Sequence, residues 1–158
     1  MRSAFGIPYE LLWANPYQPG LPYFRFPLYH HDPLNGRLFA RSSWDDDAIW
    51  FGLVSGQMQL FGDGKITLMD PALKQHPIEI GPTIIVIASD PLRFAADTKE
   101  QGRAFVIGLK SKTRYNIEVD DEEMSDALTD PAGTLDLPLP ALLKAGVRIT
   151  ETAKGFAK

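Results

Sequence analysis

The stretch from Arg37 to Met69 constrains the fold more than any other part of the chain, because apolar and polar side chains alternate along it in short runs. A two-residue period is that of a pleated strand, in which successive side chains point to opposite faces of a sheet. The runs are separated by the polar segment Ser43–Asp47, by Ser55–Gly56, and by Asp63–Gly64, a dipeptide suited to the positive φ values of a two-residue hairpin. The stretch therefore predicts four consecutive strands joined as an antiparallel meander.

Short strand-like segments separated by turn residues continue through most of the remaining sequence. The segment Thr83–Ala88 is apolar and mostly β-branched on both faces, which predicts a central strand covered on both sides. Leu92–Ala96 and Gly102–Leu109 are expected to pair with each other around a solvated turn. Tyr23–Tyr29 is expected to form an edge strand, because Pro27 cannot donate to a ladder of hydrogen bonds.

About a dozen short strands with little helical periodicity predict an all-β fold, an antiparallel β-sandwich, with a closed barrel as the alternative. Glu122–Thr129 is compatible with either a helical turn or an edge strand. A chain of 158 residues fits one domain of ordinary size. We assign residues 23–158 to the sandwich.

Residues 1–22 have a different character. Pro8–Ala14 is expected to form a short helix, since Pro8 suits a first helical turn and Asn15–Pro16 stops the helix. The segment is too apolar for a free linker. We interpret it as an arm that packs on the sandwich or on a neighbouring domain outside this sequence.

Composition limits the classes of partner. The formal net charge of −4 argues against a surface that binds nucleic acid, which requires a local excess of Lys and Arg. No apolar run approaches the roughly 20 residues of a bilayer span, so no membrane insertion is expected. The chain has no cysteine and hence no thiolate metal site. The first residues do not have the pattern of a signal peptide.

Histidines are the first candidate metal ligands. His30 and His31 are adjacent, so in a strand they point to opposite faces and do not easily bind one ion. His76 is a distant third imidazole. The favoured interpretation is solvent-facing or hydrogen-bonded histidines, because the chain lacks the several His and the Glu at strand-like spacing that a cupin-type centre needs.

The second candidate is the acidic run Asp45, Asp46 and Asp47. Carboxylates in a loop are the hard oxygen ligands that Ca²⁺ takes, so calcium is the one cofactor that the sequence suggests. The run lacks the spaced order of a known calcium loop, and the favoured interpretation is a solvated turn.

Aromatic residues form the third candidate site. Flat aromatic faces stack on sugar rings, and Asp or Arg can bind hydroxyl groups beside them. We therefore consider a glycan-contact surface formed by Trp44, Trp50, Tyr29, Arg41 and Asp45, with core or arm packing as the competing role for the aromatic rings.

Three segments resemble parts of known carbohydrate enzymes. The sequence RSSWDDDAIWFGLVSG, Arg41–Gly56, is similar to the segment that opens the β domain of heparinase II/III-like polysaccharide lyases. The arm at Trp13–Tyr17 resembles the joint between the α/α toroid and the β-sandwich in those enzymes. Gly108–Leu139 is similar to the closing hairpins of sandwich modules on secreted bacterial carbohydrate enzymes.

The toroid that carries the catalytic Tyr, His and Asn of these lyases has no counterpart in this sequence. The resemblance therefore implies a non-catalytic ancillary β-sandwich module, whose partners are a polysaccharide or a neighbouring enzyme domain. It is compatible with a periplasmic or secreted location as part of a longer chain. The alternative is a self-standing small β-barrel enzyme or metal-binding protein.

Overall fold

The computed structural model describes residues 23–70, 77–88, 92–98, 102–139 and 141–152. These ranges contain a single-turn 3-10 helix, Tyr23–Arg25, and thirteen strands. The strands are β1 Tyr29–Asp32, β2 Arg37–Arg41, β3 Trp50–Val54, β4 Gln57–Gly62, β5 Lys65–Met69, β6 Ile78–Ile80, β7 Thr83–Ile87, β8 Leu92–Thr98, β9 Gly102–Ile107, β10 Arg114–Val119, β11 Glu122–Leu128, β12 Leu135–Leu139 and β13 Leu142–Glu151.

The predicted all-β class is confirmed. Within the described ranges, no helix has the length and apolar character needed to cross a membrane. The predictions for the arm at residues 1–22, with its helix at Pro8–Ala14, and for His76 fall outside the described residues.

The strands form three sheets. The first sheet has the order β1-β2-β3-β4-β5, the central sheet β12-β9-β7-β6, and the third sheet β11-β10-β13-β8. The predicted meander is confirmed as β2 to β5, with antiparallel pairing throughout. Both two-residue turns have positive φ values, 52° and 77° at Ser55–Gly56 and 49° and 71° at Asp63–Gly64.

The two inner strands of the central sheet, β7 and β9, are buried on both faces. Ile84 and Val86 of β7 pack with Val147 and other residues of the third sheet in one apolar core. Ile85 of the same strand packs with Phe51 and other residues of the first sheet in a second core. The predicted central strand, covered on both sides, is thus confirmed, and the sandwich has three layers.

Two of the predicted strand arrangements are wrong. Tyr23–Tyr29 is not one strand, because the 3-10 helix occupies Tyr23–Arg25 and β1 begins only at Tyr29, after Pro27. Strands β8 and β9 do not pair with each other. Strand β8 pairs with β13 in the third sheet, whereas β9 pairs with β7 and β12 in the central sheet.

Strands β7 and β9 pair in parallel, whereas the sequence analysis predicted an antiparallel sandwich. The position of β8 in another sheet explains this difference. Parallel neighbours need a crossover connection. Here the chain leaves the central sheet after β7, adds β8 to the third sheet and returns as β9.

The segment Glu122–Thr129, for which the sequence allowed a helical turn or an edge strand, contains β11, an edge strand of the third sheet.

Gly133 lies in the connection that leads into β12, close to the backbone of Leu109. Its amide donates to the Asp130 carbonyl at 3.1 Å, and its carbonyl accepts from the Leu109 amide at 3.0 Å. Its φ is +80°, and a Cβ atom would lie 2.2 Å from the Leu109 carbonyl oxygen. The position therefore requires glycine for both conformation and space.

We expect Gly133→Ala to destabilise the fold more than Gly56→Ala, which is a matched control with φ of +77° and no atom within 4 Å of an added Cβ. Both changes carry the left-handed cost of about 1 to 2 kcal/mol. Only Gly133→Ala adds the overlap with Leu109, about 1 to 3 kcal/mol more. Urea unfolding of both variants measures the difference, and equal losses would contradict the close approach.

Candidate functional site

The outer face of the first sheet exposes a group of large apolar side chains. The inward residues of these strands pack on the central sheet, and their neighbours point to solvent, as the pleat requires. We call the outward group the aromatic face; it consists of Phe39, Trp50, Phe61, Ile66 and Leu68, which are exposed by 45%, 49%, 37%, 66% and 64%.

Strand register orders this face into two rows. Arg41, Trp50, Phe61 and Ile66 lie opposite one another across β2, β3, β4 and β5. The adjacent row crosses all five strands and consists of His30, Phe39, Gly52, Gln59 and Leu68. The ring of Phe39 lies over Gly52, since a Cβ atom there would be 3.7 Å from the Phe39 ring.

The guanidinium of Arg41 is stacked on two indole rings. Its central carbon lies 4.4 Å from the centroid of the Trp44 ring and 4.5 Å from that of the Trp50 ring. Both distances are within the range of a cation–π interaction. Three of the five residues proposed for glycan contact therefore meet at one point on this face.

Hydrogen bonds to the following turn hold this group in place. Arg41 Nε donates to the Ser43 carbonyl, and a terminal nitrogen of Arg41 lies 3.3 Å from the Asp45 carbonyl. Trp44 Nε1 donates to the Phe26 carbonyl at 3.1 Å. Trp44 is only partly exposed as a result, and Trp50 presents more of its ring to solvent. Asp45 is exposed beside them.

Tyr29 does not join the aromatic face, which corrects the prediction that it belongs with Trp44 and Trp50. It pairs with Ala40, a buried residue of the inner side. Its ring packs at a tilt against Phe105 of the central sheet, with centroids 5.6 Å apart. Tyr29 therefore lies between the first and central sheets.

A polar network sits at this junction of two sheets. Its members are His31 and Tyr29 on β1, Arg103 on β9, Asp136 on β12 and Asp130 just before β12. His31 Nε2 lies 3.0 Å from an oxygen of Asp130, and His31 Nδ1 lies 3.7 Å from Asp136. Arg103 donates to Asp136 through Nε and to the Tyr29 hydroxyl at 2.7 Å.

Charge and burial make this network a structural link. The hydrogen bond that Arg103 donates to Asp136 raises the pKa of Arg103 above its usual value, so the guanidinium stays charged. The side chains of His31 and Asp130 are only 11% and 7% exposed. The other oxygen of Asp130 accepts the backbone amides of Ala132 and Thr134, both at 2.8 Å. The network thus ties β1 to the loop that enters β12.

Among the described residues, the proposed metal ligands do not converge on one site. His30 is exposed on the outer side of β1, whereas His31 points inward, where both of its ring nitrogens face carboxylates. Asp45, Asp46 and Asp47 form an exposed turn. In the part of the chain that the structure describes, no three His, Asp or Glu side chains form a group that could hold a metal ion.

Sequence reasoning missed several residues of both regions. Phe39 and Phe61 lie on the same face of the sheet as Trp50 once the two-residue hairpins fix the register. The alternation of side chains along the meander was therefore enough to predict their place on this face. Arg103, Asp130 and Asp136 carried no comparable signal, because the segments that hold them are distant from β1 in sequence.

Comparison of the chain with protein-family models, with curated proteins and with solved structures finds no match. The resemblance to the β domain of polysaccharide lyases therefore stays a prediction.

Proposed function

We propose that this protein is a non-catalytic ancillary β-sandwich module that contacts glycan through the aromatic face. The observation that carries the proposal is the Arg41 guanidinium stacked on Trp44 and Trp50, beside a half-exposed Trp50 ring. An aromatic ring presented to solvent at a fixed angle matches the C–H face of a sugar ring.

Preorganisation supports this assignment. Arg41 is held by two carbonyls of the following turn, and Trp44 is held by the Phe26 carbonyl, which precedes β1. Groups that are already fixed lose little conformational entropy when a ligand binds. The face remains shallow, so we expect binding in the high-micromolar to millimolar range.

Polar side chains adjoin the rings and can bind hydroxyl groups. His30 and Gln59 lie in the row of Phe39, and Arg37 and Gln57 are exposed next to it. Aromatic rings with a few donors and acceptors beside them are the usual composition of a small-molecule or sugar site.

A second candidate function is docking on a neighbouring protein domain. It is favoured by Ile66 and Leu68, which are the most exposed members of the aromatic face and lie on β5, an edge strand. Edge strands with apolar side chains readily pair with another chain. In this proposal the aliphatic end of the face contacts protein, whereas the end at Trp50 contacts glycan.

The metal-binding alternative rests on residues that the described structure does not cluster. It is tested directly by calorimetric titration of the purified chain with Zn²⁺ and Ca²⁺.

We expect Trp50→Ala to weaken binding to a responsive oligosaccharide at least tenfold, about 1.4 kcal/mol. The reason is the loss of the exposed stacking surface. Trp50→Phe keeps a ring and should retain most of the affinity. Because both variants lose the Trp50 indole and with it part of the fluorescence signal, affinity is measured by calorimetry across a panel of neutral and acidic oligosaccharides.

Ile66→Ala is the matched control, since Ile66 lies in the same row two strands away. It should leave glycan affinity unchanged. Equal affinity of Trp50→Ala and the unmodified protein would contradict the proposed contact. Protein docking would be favoured instead if no glycan bound and the purified protein self-associated in a way that Ile66→Ala abolished.

A further inference from the structure

A concave surface lies on the outer face of the third sheet, away from the aromatic face. It is an open groove of about 490 Å³ formed by β8, β13 and the turn between β10 and β11. Its volume falls in the range of small-molecule sites. The floor consists of Ala95 and Gly146, which are register partners and leave space above the sheet.

Two arginines border one end of this floor. Arg93 and Arg148 lie directly opposite each other on β8 and β13. Like charges at opposed positions destabilise a sheet. Arg148 is paired with Glu118 at 3.2 Å, and in the described ranges no carboxylate lies within ion-pair distance of Arg93. The fold thus maintains a like-charge pair with one compensating carboxylate.

Two aspartates border the other end. Asp120 and Asp121 form the turn after β10, with φ values of 50° and 63°. One oxygen of Asp120 accepts the Gly146 amide at 2.7 Å, and the Asp120 amide donates to the Gly146 carbonyl at 2.9 Å. These bonds fix the turn against the floor, and the exposed Asp121 carboxylate is an acceptor for hydroxyl groups.

We propose that this groove binds a small monocarboxylate that carries hydroxyl groups. The ligand carboxylate lies at Arg93 and Arg148, whose planar forks match it in a bidentate manner. Its hydroxyls donate to the aspartates at the other end. Arg93 and Arg148 together with the carboxylates of Glu118, Asp120 and Asp121 carry one net negative charge, which disfavours phosphate and other dianions more strongly than a monocarboxylate.

The proposal does not rest on glycan contact at the aromatic face, because the two surfaces belong to different sheets and share no residue. Two sources offer the same ligand chemistry, an open-chain hydroxy acid and a sugar-ring acid. Gluconate and glucuronate are therefore used as separate probes, and glucose and inorganic phosphate serve as the matched neutral and dianionic compounds.

The test is a titration of the isotope-labelled protein followed by backbone amide shifts. We expect gluconate or glucuronate to shift the amides of β8, β13 and the Asp120–Asp121 turn with millimolar affinity. Glucose and phosphate should each bind at least tenfold more weakly. The proposal would be overturned if phosphate bound as tightly as gluconate or glucuronate, or if neither acid shifted these amides.

Arg93→Gln should weaken acid binding at least tenfold without lowering the melting temperature, because it relieves the like-charge contact with Arg148. Arg114→Gln is the control: Arg114 is on the same outer face but outside the groove, 3.8 Å from Asp126. It should bind the acid normally. Ala95→Phe is a second variant, which fills the floor and leaves every charge in place. Unchanged binding in Arg93→Gln or Ala95→Phe would overturn the assignment.

Discussion

Val86→Asp should leave the protein unable to fold. Val86 is 5% exposed and faces the core between the central and third sheets. A carboxylate there has no charge partner, and burying it unpaired costs far more than the stability of a domain of this size. Ile85→Ala on the opposite face of β7 should cost about 2 to 5 kcal/mol, since it opens a cavity in the other core.

Val54→Asp is the matched control for Val86→Asp. Val54 is 40% exposed on the outer side of β3, so its carboxylate remains in water. Far-UV circular dichroism and chemical unfolding should give a folded protein of nearly unchanged stability for Val54→Asp and no cooperative transition for Val86→Asp. A cooperative transition in Val86→Asp would contradict the three-layer arrangement.

The meander could be predicted from the sequence because its pairing is local. A two-residue turn joins Val54 to Gln57 and another joins Gly62 to Lys65, and in each case these residues are register partners. Once such a turn is recognised, the register and the parity of every side chain in the hairpin follow.

The partners of β8 and β9 could not be predicted in the same way. Strand β8 alternates buried and exposed residues, whereas β9 is buried on both faces from Ala104 to Ile107. Phe94 of β8 and Val106 of β9 contribute to one core from opposite layers. The pattern of apolar residues indicates which faces of a strand are buried, but it does not show whether two strands of one core pair or pack face to face. Proximity in sequence favoured the hairpin, which is wrong.

The candidate site shows the same division. Arg41 and Trp50 are register partners across the turn that contains Trp44, so a hairpin predicts their proximity. Tyr29 does not share the face of Trp50, because its pairing with Ala40 directs its ring inward, and aromatic composition alone does not indicate the face of a side chain. His31 and Asp130 are 99 residues apart in sequence, and no local pattern encodes their contact.

Asp130→Ala should cost about 2 to 4 kcal/mol, because it leaves hydrogen-bond donors in a partly buried site without their acceptor, at about 1 to 3 kcal/mol for each buried group. Asp130 binds His31 through one oxygen and the amides of Ala132 and Thr134 through the other. Its loss leaves the inward-facing imidazole with one carboxylate at 3.7 Å and leaves two amides of the loop before β12 without their acceptor.

Two further variants separate these contributions. Asp130→Asn keeps an oxygen for the two amides and removes the charge beside His31, so it should lose less stability than Asp130→Ala. Asp126→Ala removes a more exposed aspartate, 3.8 Å from Arg114, and should cost no more than about 1 kcal/mol. Urea unfolding of the three variants gives the order. If Asp130→Ala were no more harmful than Asp126→Ala, the network would not be what ties β1 to the central sheet, and apolar contacts such as that of Tyr29 with Phe105 would be the main link.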